Sequence, residues 1–416
     1  MRRMREEYRV VVTGIGVVTP IGTGVRDFWE AALEGKIGTG PITRFDASTF
    51  RSRVAAQIEG FDPSLYMDGR RRRWTDRFAQ FAIAGARLAL EDARFEIGDR
   101  GDEIGVYMGT ALGGLGYAEQ QHEVFLARGL GAVRPLLAIS VFGGASTCNI
   151  ALEFGIRGPN VANGNSCASG AVAIGDAFRA VARGDVRAAL AGGVEAPLSP
   201  LTYGAFAVIH AMSTRNDDPR GASRPFDRDR DGFVMAEGAG VLVLERYEDA
   251  LERGAHIYGE IAGFGLTCDA HHMTAPRPDA ASAVRAMQAA LREAQLAPGE
   301  IELINAHASS SPLNDTTETS AIKRAFGESA RRIPITATKG QHAHALGATG
   351  VWEAALSLLA IDRGEVPGIV NLEHVDPSCD LHYVRKSFAL RPRTVLSNSF
   401  GFGGINAALA FKHAEA

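Results

Sequence analysis

Apolar positions in this chain follow two periods in turn. Residues 8–18 are rich in β-branched residues and end in the turn Thr19-Pro20-Ile21-Gly22. Residues 27–34 have helical spacing, and 77–91 place Phe78, Phe81, Ala82 and Leu88 on one helical face. Short apolar runs at 104–108, 188–194 and 240–245 predict buried strands, and 112–116 predict a glycine-rich turn. From Ile257 the pattern restarts, with strands at 257–264, 301–306, 333–338, 395–398 and 407–411. Helices at 281–295, 316–326 and 350–363 fall between them. Strands alternating with helices predict an α/β chain with buried sheets.

Both stretches open with a strand running into Gly-x-Gly, Gly14-Ile15-Gly16 and Gly263-Phe264-Gly265, which hints at a duplication. The boundary falls near 250–258, giving halves of 1–256 and 257–416. The first Gly-x-Gly lacks a third glycine and runs into Pro20, so we read it as a strand-ending turn and not as a dinucleotide site. Composition adds limits. With 416 residues, 46% hydrophobic and 22% charged, the chain is an ordinary globular sequence, and its net charge of −4 carries no nucleic-acid signal. Four cysteines without metal spacing form no disulfide framework, which points to a reducing cytoplasm. No run of about 18 apolar residues suggests a membrane span. The opening MRRMREEYRVVVTG has no apolar stretch before a cleavage site, so no signal peptide is expected.

Four segments carry candidate chemistry. In Asn163-Gly164-Asn165-Ser166-Cys167-Ala168-Ser169-Gly170, a strand at 159–162 leads through small residues into a helix starting near Cys167. A helix N-terminus favours thiolate, so Cys167 is either a nucleophile or a buried structural cysteine. Cys148, Cys268 and Cys379 lack such a setting. In Ile304-Asn305-Ala306-His307-Ala308-Ser309-Ser310-Ser311-Pro312 a strand delivers His307 into a hydroxyl-rich loop. In 336–347 a strand delivers Lys339, and the following loop presents His344 just before a helix. The glycine-rich loop Asn398-Ser399-Phe400-Gly401-Phe402-Gly403-Gly404 offers backbone N–H donors and two aromatic rings. A charge run, Arg70-Arg71-Arg72-Arg73, precedes a helix starting near Asp76.

These four segments resemble those of β-ketoacyl-acyl-carrier-protein synthases of the KAS II type, condensing enzymes of the thiolase superfamily. So do Ser213-Thr214-Arg215-Asn216-Asp217, Ser223-Arg224-Pro225-Phe226-Asp227 and Arg230-Asp231-Gly232-Phe233-Val234. The resemblance runs from about residue 8 to 412. It implies a five-layered αβαβα fold of two similar halves and a homodimer that works with acyl carrier protein. By motif position, Cys167 accepts the acyl group, and His307 and His344 serve decarboxylation. Lys339 and Glu318 form a buried charged pair. Phe400 gates the acyl pocket, its N–H joining that of Cys167 in an oxyanion hole. Leu112 and Phe206 line that pocket, Ser309 and Ser311 meet the pantetheine arm, and Arg70 and Arg73 dock the carrier. The chemistry requires no metal or nucleotide.

The chain departs from the family at the histidine loops. Ala308 and Ala343 stand where glycines are usual, His342 where threonine is usual, and Ser309 and Ser311 where threonines are usual. A ketosynthase of a polyketide or other specialised acyl pathway is therefore the alternative within the family. Outside it stand a Cys/His hydrolase and a scaffold subunit. The first would cleave thioesters without malonyl substrate; the second would leave Cys167 unreactive.

Overall fold

The structure is a computed structural model that describes residues 8–415; the N-terminal basic stretch read above for a signal peptide falls mostly outside them. Among the described residues one continuous sheet holds eleven strands, ten in a single path and the short Gly22–Thr23 paired beside the first. The first five are β1 (Val10–Thr19), β2 (Ile104–Gly109), β3 (Asn160–Asn163), β4 (Ala188–Glu195) and β5 (Gly238–Arg246). The second five are β6 (Gly259–Cys268), β7 (Leu303–Asn305), β8 (Ile335–Thr336), β9 (Thr394–Gly401) and β10 (Ile405–Lys412). Outward from the centre the first set runs β1-β5-β4-β2-β3 and the second β6-β10-β9-β7-β8. In each set the first two pairings are antiparallel and the last two parallel. The sets join where β1 pairs antiparallel with β6.

The helices repeat the same way. Helix α1 (Arg77–Ala93) covers β1 and β5 with α2 (Ala145–Phe154) beside it, and α4 (Ala281–Glu293) covers β6 and β10 with α5 (Pro312–Phe326) beside it. Helices α3 (Ser169–Ala182) and α6 (Thr349–Arg363) lie against each other between the two sets of strands. The layers are therefore αβαβα, built from two similar halves as expected. The central helices meet sheet on both sides, which explains their composition: every residue of α6 from Thr349 to Ile361 is buried. Among the described residues no helix is long and apolar enough to cross a membrane.

The Gly-x-Gly reading needs correction. Gly14 and Gly16 do not end a strand; they lie inside β1, just past a register shift between Val12 and Gly14. Gly263 and Gly265 sit alike in β6, past a shift between Ile261 and Gly263. A Cβ at Gly16 would stand 2.0 Å from the Gly85 carbonyl oxygen, and one at Gly265 1.9 Å from that of Ala286. Each pair lets a covering helix, α1 or α4, rest its backbone on the strand. Sequence reading also missed the helices Leu115–Arg128, Ala145–Phe154 and Pro200–Val208. Leu115–Arg128 buries only Glu119 and Gln121, so it has no apolar stripe to read.

Gly16→Ala and Gly265→Ala are each expected to destabilise by about 3 kcal/mol or more, because the obstructing atoms are backbone. Gly40→Ala, where a Cβ meets nothing within 4 Å, should leave stability nearly unchanged. Denaturant midpoints of the three variants check this; a midpoint for either strand variant equal to that of Gly40→Ala would refute the close-packing account.

Candidate active site

The two central helices start side by side. A short turn, Ser166–Ala168, precedes α3 and another, Leu346–Ala348, precedes α6, and the turns touch. The sharp entry to the first is set by Ser166, whose φ of 52° is unusual for a residue with a side chain. It presents Cys167 to a cavity of about 370 Å³ that His307, His344, Phe206, Phe400, Phe402, Ser309 and Ser311 also line. Structure thus brings the cysteine together with two histidines that lie 140 and 177 residues further along the sequence.

The Cys167 thiol is buried, and burial pushes it up to about 11 against smaller opposing effects of the Ser166 hydroxyl, the Phe402 N–H and the Lys339 charge. The sulfur rests as a thiol, despite its place at a helix N-terminus. The donor beside it is the backbone N–H of Phe402, not of Phe400. Phe400 is the next-to-last residue of β9, paired with Asn406, and its ring lies 5.8 Å from that of His307. Phe402, in the tight turn beyond, stacks on Phe206 at 6.2 Å, and Phe206 meets Phe233 edge-on. The geometry expected of Phe400 belongs to Phe402. Between them, Gly401 has no side chain: a Cβ there would stand 3.1 Å from the Cys167 nitrogen.

The histidines face each other edge-on, with ring centres 5.3 Å apart. Burial, and then the nearby Lys339 charge, hold both well below the ordinary histidine range, so both are neutral. His307 Nδ1 lies 3.4 Å from the Lys339 ammonium. An ammonium only donates, so Nδ1 accepts and the His307 proton sits on Nε2. His344 Nδ1 lies 3.1 Å from the Thr349 hydroxyl.

The expected Lys339–Glu318 pair is not formed. Lys339 pairs with Glu353 of α6 and donates to the His307 carbonyl. Glu318 is turned the other way: it accepts the N–H groups of His307 and Ala308 at 2.8 and 2.7 Å and the Asn398 amide at 3.1 Å. Its oxygens are engaged in fixing the backbone of the His307 loop. Glu353 was missed in the sequence, although a lone carboxylate inside a wholly buried helix was a readable sign. Glu195, also missed, ends β4 and accepts from Thr110, Ala111, Leu112 and Gly347, tying the loop after β2 to the turn before α6. Burial pushes Glu195, Glu318 and Glu353 up to about 7, opposed by the donors aimed at each.

The remaining expected residues are placed as follows. Ser309 and Ser311 share a hydrogen bond of 3.0 Å, and Ser311 caps α5. Leu112 is not on the cavity wall but packs in the apolar cluster that holds Cys167, Phe206 and Leu346. Arg70 and Arg73 are exposed on the short helix Gly69–Arg73, but Arg71 turns inward to Glu153, so the run presents three charges to solvent and not four. Among the described residues no group of three or more His, Cys, Asp or Glu side chains is disposed to hold a metal.

Residues 7–250 match the family described as beta-ketoacyl synthase, N-terminal domain, and residues 258–373 its C-terminal domain. The chain is 47% identical over 409 residues to 3-oxoacyl-[acyl-carrier-protein] synthase 2 of Synechocystis sp., covering 98% of both chains. It is 43% identical to the protein of the same name in Coxiella burnetii, covering 97% of this chain and 98% of that one. Among solved structures, a beta-ketoacyl synthase from Burkholderia phymatum superposes with a TM-score of 0.91 at 35% identity, covering 98% of this chain and all of the other. A ketosynthase solved with its type II polyketide synthase acyl-carrier protein superposes with a TM-score of 0.90 at 34% identity, with the same coverage.

One pH dependence follows from the third buried imidazole, His342, which burial depresses to about 3. The unfolded chain takes up a proton below the ordinary value of about 6.5 that the folded chain refuses. Stability contributed by neutral His342 is therefore present above pH 6.5 and lost as pH falls toward 3. The cost of His342→Thr should shrink by about 1.4 kcal/mol per pH unit between pH 6 and 4. Denaturant midpoints of both proteins at pH 7 and 5 check this; a pH-independent cost would show that His342 is not buried and neutral.

Proposed function

The chain belongs to the beta-ketoacyl synthase family, and from that footing we propose that it is a β-ketoacyl-acyl-carrier-protein synthase acting in fatty acid elongation. The observation that carries this is the single cavity holding a cysteine at a helix start and two neutral, edge-on histidines. The Cys167 sulfur, on losing its proton, attacks the carbonyl of a carrier-bound acyl thioester. The carrier thiol leaves, and the acyl group rests on Cys167. A malonyl thioester then enters and loses CO₂, and the electrons of the broken C–C bond form an enolate. His307 donates to the enolate oxygen from Nε2–H, and His344 does the same with the Thr349 hydroxyl donating to its Nδ1. The enolate carbon attacks the acyl-Cys167 carbonyl and expels the Cys167 thiolate. The N–H groups of Cys167 and Phe402 receive the oxyanion of each tetrahedral intermediate, a role we move from Phe400 to Phe402.

The rest of the reading follows the same frame. Residues 1–256 supply the nucleophile and residues 257–416 the histidines. Ser309 and Ser311 face the pantetheine arm, Phe402 and Phe206 form the gate, and Leu112 backs the acyl pocket. Strand β3 is an open sheet edge with Val161 exposed on it and Leu152 exposed on the adjoining α2, a surface suited to edge pairing with a second copy in a homodimer. A cytoplasmic enzyme fits the four free cysteines. The second reading, a ketosynthase of a polyketide or specialised acyl pathway, draws on Ala308, His342 and Ala343 in the histidine loops. Mass spectrometry of products made from primers of different lengths separates the two.

Two experiments test the proposal. Cys167→Ala should abolish acyl-enzyme formation, and His344→Ala should lose malonyl decarboxylation by about 10²-fold or more while Cys167 still accepts an acyl group. Intact-mass spectrometry and CO₂ release read the two steps; acylation at another residue, or undiminished decarboxylation in His344→Ala, would overturn the assignment. For the carrier, Arg70→Glu with Arg73→Glu should raise KM for acyl-carrier protein and leave turnover of a short acyl-pantetheine thioester nearly unchanged, because rim charges act on association. Equal losses with both substrates would place the arginines in folding and not in docking.

A further inference from the structure

The loop that presents Lys339 and His344 contains one residue the mechanism does not use. His342 is fully buried, its ring 5.2 Å from that of Trp352 in an edge-on contact and 6.4 Å from that of Phe28. It does not line the cavity. Both ring nitrogens are engaged. Nδ1 lies 2.8 Å from the Ala343 carbonyl oxygen, and Nε2 lies 2.9 Å from the Thr338 hydroxyl. A carbonyl only accepts, so the proton is on Nδ1 and Thr338 donates to Nε2. One imidazole thus grips the loop at both ends, at the residue before Lys339 and at the residue before His344.

The peptide it grips is strained. Ala343 has φ 58° and ψ −153°, a region that residues with a side chain rarely enter, at a cost of about 1–3 kcal/mol. Such a conformation persists only where the surroundings dictate it. Three backbone hydrogen bonds do so: Ala343 N–H to Lys339 O at 3.0 Å, His344 N–H to Val234 O at 2.9 Å and Ala236 N–H to His344 O at 3.0 Å. Among the described residues, the side-chain bond to the Ala343 carbonyl is that of His342.

We propose that His342 is a positioning residue for decarboxylation: its Nδ1–H to Ala343 O bond holds the strained peptide that aims His344 into the cavity. The inference rests on the proposed role of His344. It divides the two half-reactions, because Cys167 is presented by a different turn, at the start of α3, and needs nothing from the 343 peptide to accept an acyl group.

The test compares His342→Thr, which removes the ring and its N–H, with His342→Asn, whose side-chain amide keeps a donor near the Nδ1 position. CO₂ release from malonyl-carrier protein should fall about 10- to 100-fold in the threonine variant, the scale of a small misplacement of a reacting group. Acylation of Cys167 by an acyl-pantetheine thioester, read by intact mass, should keep its rate, and the asparagine variant should recover most of the CO₂ release. In an Ala343→Gly background, where the same backbone carries no strain, His342→Thr should cost less, so the double-mutant cycle reports coupling. CO₂ release at the parent rate in His342→Thr, equal loss of both half-reactions, or no rescue by asparagine would overturn the proposal. His344→Ala run alongside separates the two ideas: if it releases CO₂ normally, the role of His344 fails, whereas a dead His344→Ala beside a fully active His342→Thr removes only the role of His342.

Discussion

The site is organised around one buried cation. Lys339 is fully enclosed, and an unpaired charge there would be costly. Glu353 of the central helix α6 pairs with it, and the His307 carbonyl accepts from it as well. Such a pair is weak as a source of stability but strongly resists the loss of either member. Its consequence for chemistry is larger. After burial, the Lys339 charge is the next cause that keeps His307, His342 and His344 neutral. A neutral imidazole retains one N–H donor and one acceptor, which suits the proposed task of stabilising an enolate oxygen without trapping it as a full ion pair.

The duplicated fold explains why the parts converge. Each half ends a parallel strand in a loop that leads into its own central helix: β3 into the Cys167 turn and α3, β8 into the Lys339–His344 loop and α6. Because α3 and α6 pack together in the middle layer, their starts are neighbours, and the positive ends of both helix dipoles face the same place. Cys167 and His344 therefore come from equivalent positions of two similar units. His307 enters from β7, the strand equivalent to β2, whose own loop carries Ala111 and Leu112. Glu195 then ties that loop to the turn before α6, so the loop after β2 and the turn that follows the histidine loop share an anchor.

Much of this was legible in the sequence, and the misses have physical causes. The long periodic helices α1, α4, α5 and α6 and most sheet strands could be read because burial on one face or all round writes itself into composition. The Cys167, His307 and His344 loops stood out as reactive residues set among small ones. The partner of Lys339 could not be read, since two buried glutamates, Glu318 and Glu353, compete, and only side-chain direction decides between them: Glu318 faces the backbone of the His307 loop. Phe400 and Phe402 are likewise equal in the sequence, and a two-residue step across a tight turn determines which N–H reaches the sulfur. The Gly-x-Gly pairs were misread because glycine serves close approach as well as turns, and sequence does not distinguish the two.

The strained residues complete the picture. Ser166, Ala308, Ser310, Ala343 and Leu346 all carry positive φ, and all lie in the loops that carry Cys167, His307 and His344. Left-handed backbone at residues with side chains costs energy that a flexible loop would relieve by relaxing. Here relaxation is blocked: Ala308 and Ala343 are fully buried, Glu318 holds the 308 peptide from one side, and His342 holds the 343 carbonyl from the other. Glycine at 308 and 343 would reach the same conformations freely and would also leave them freely. Alanine there narrows the alternatives, so the histidine loops of this chain depend more heavily on the side chains that clamp them. The departures at 342 and 343 are thus one linked change, a residue that resists the required backbone and a buried imidazole bonded to its carbonyl, whereas Ala308 is held separately by Glu318.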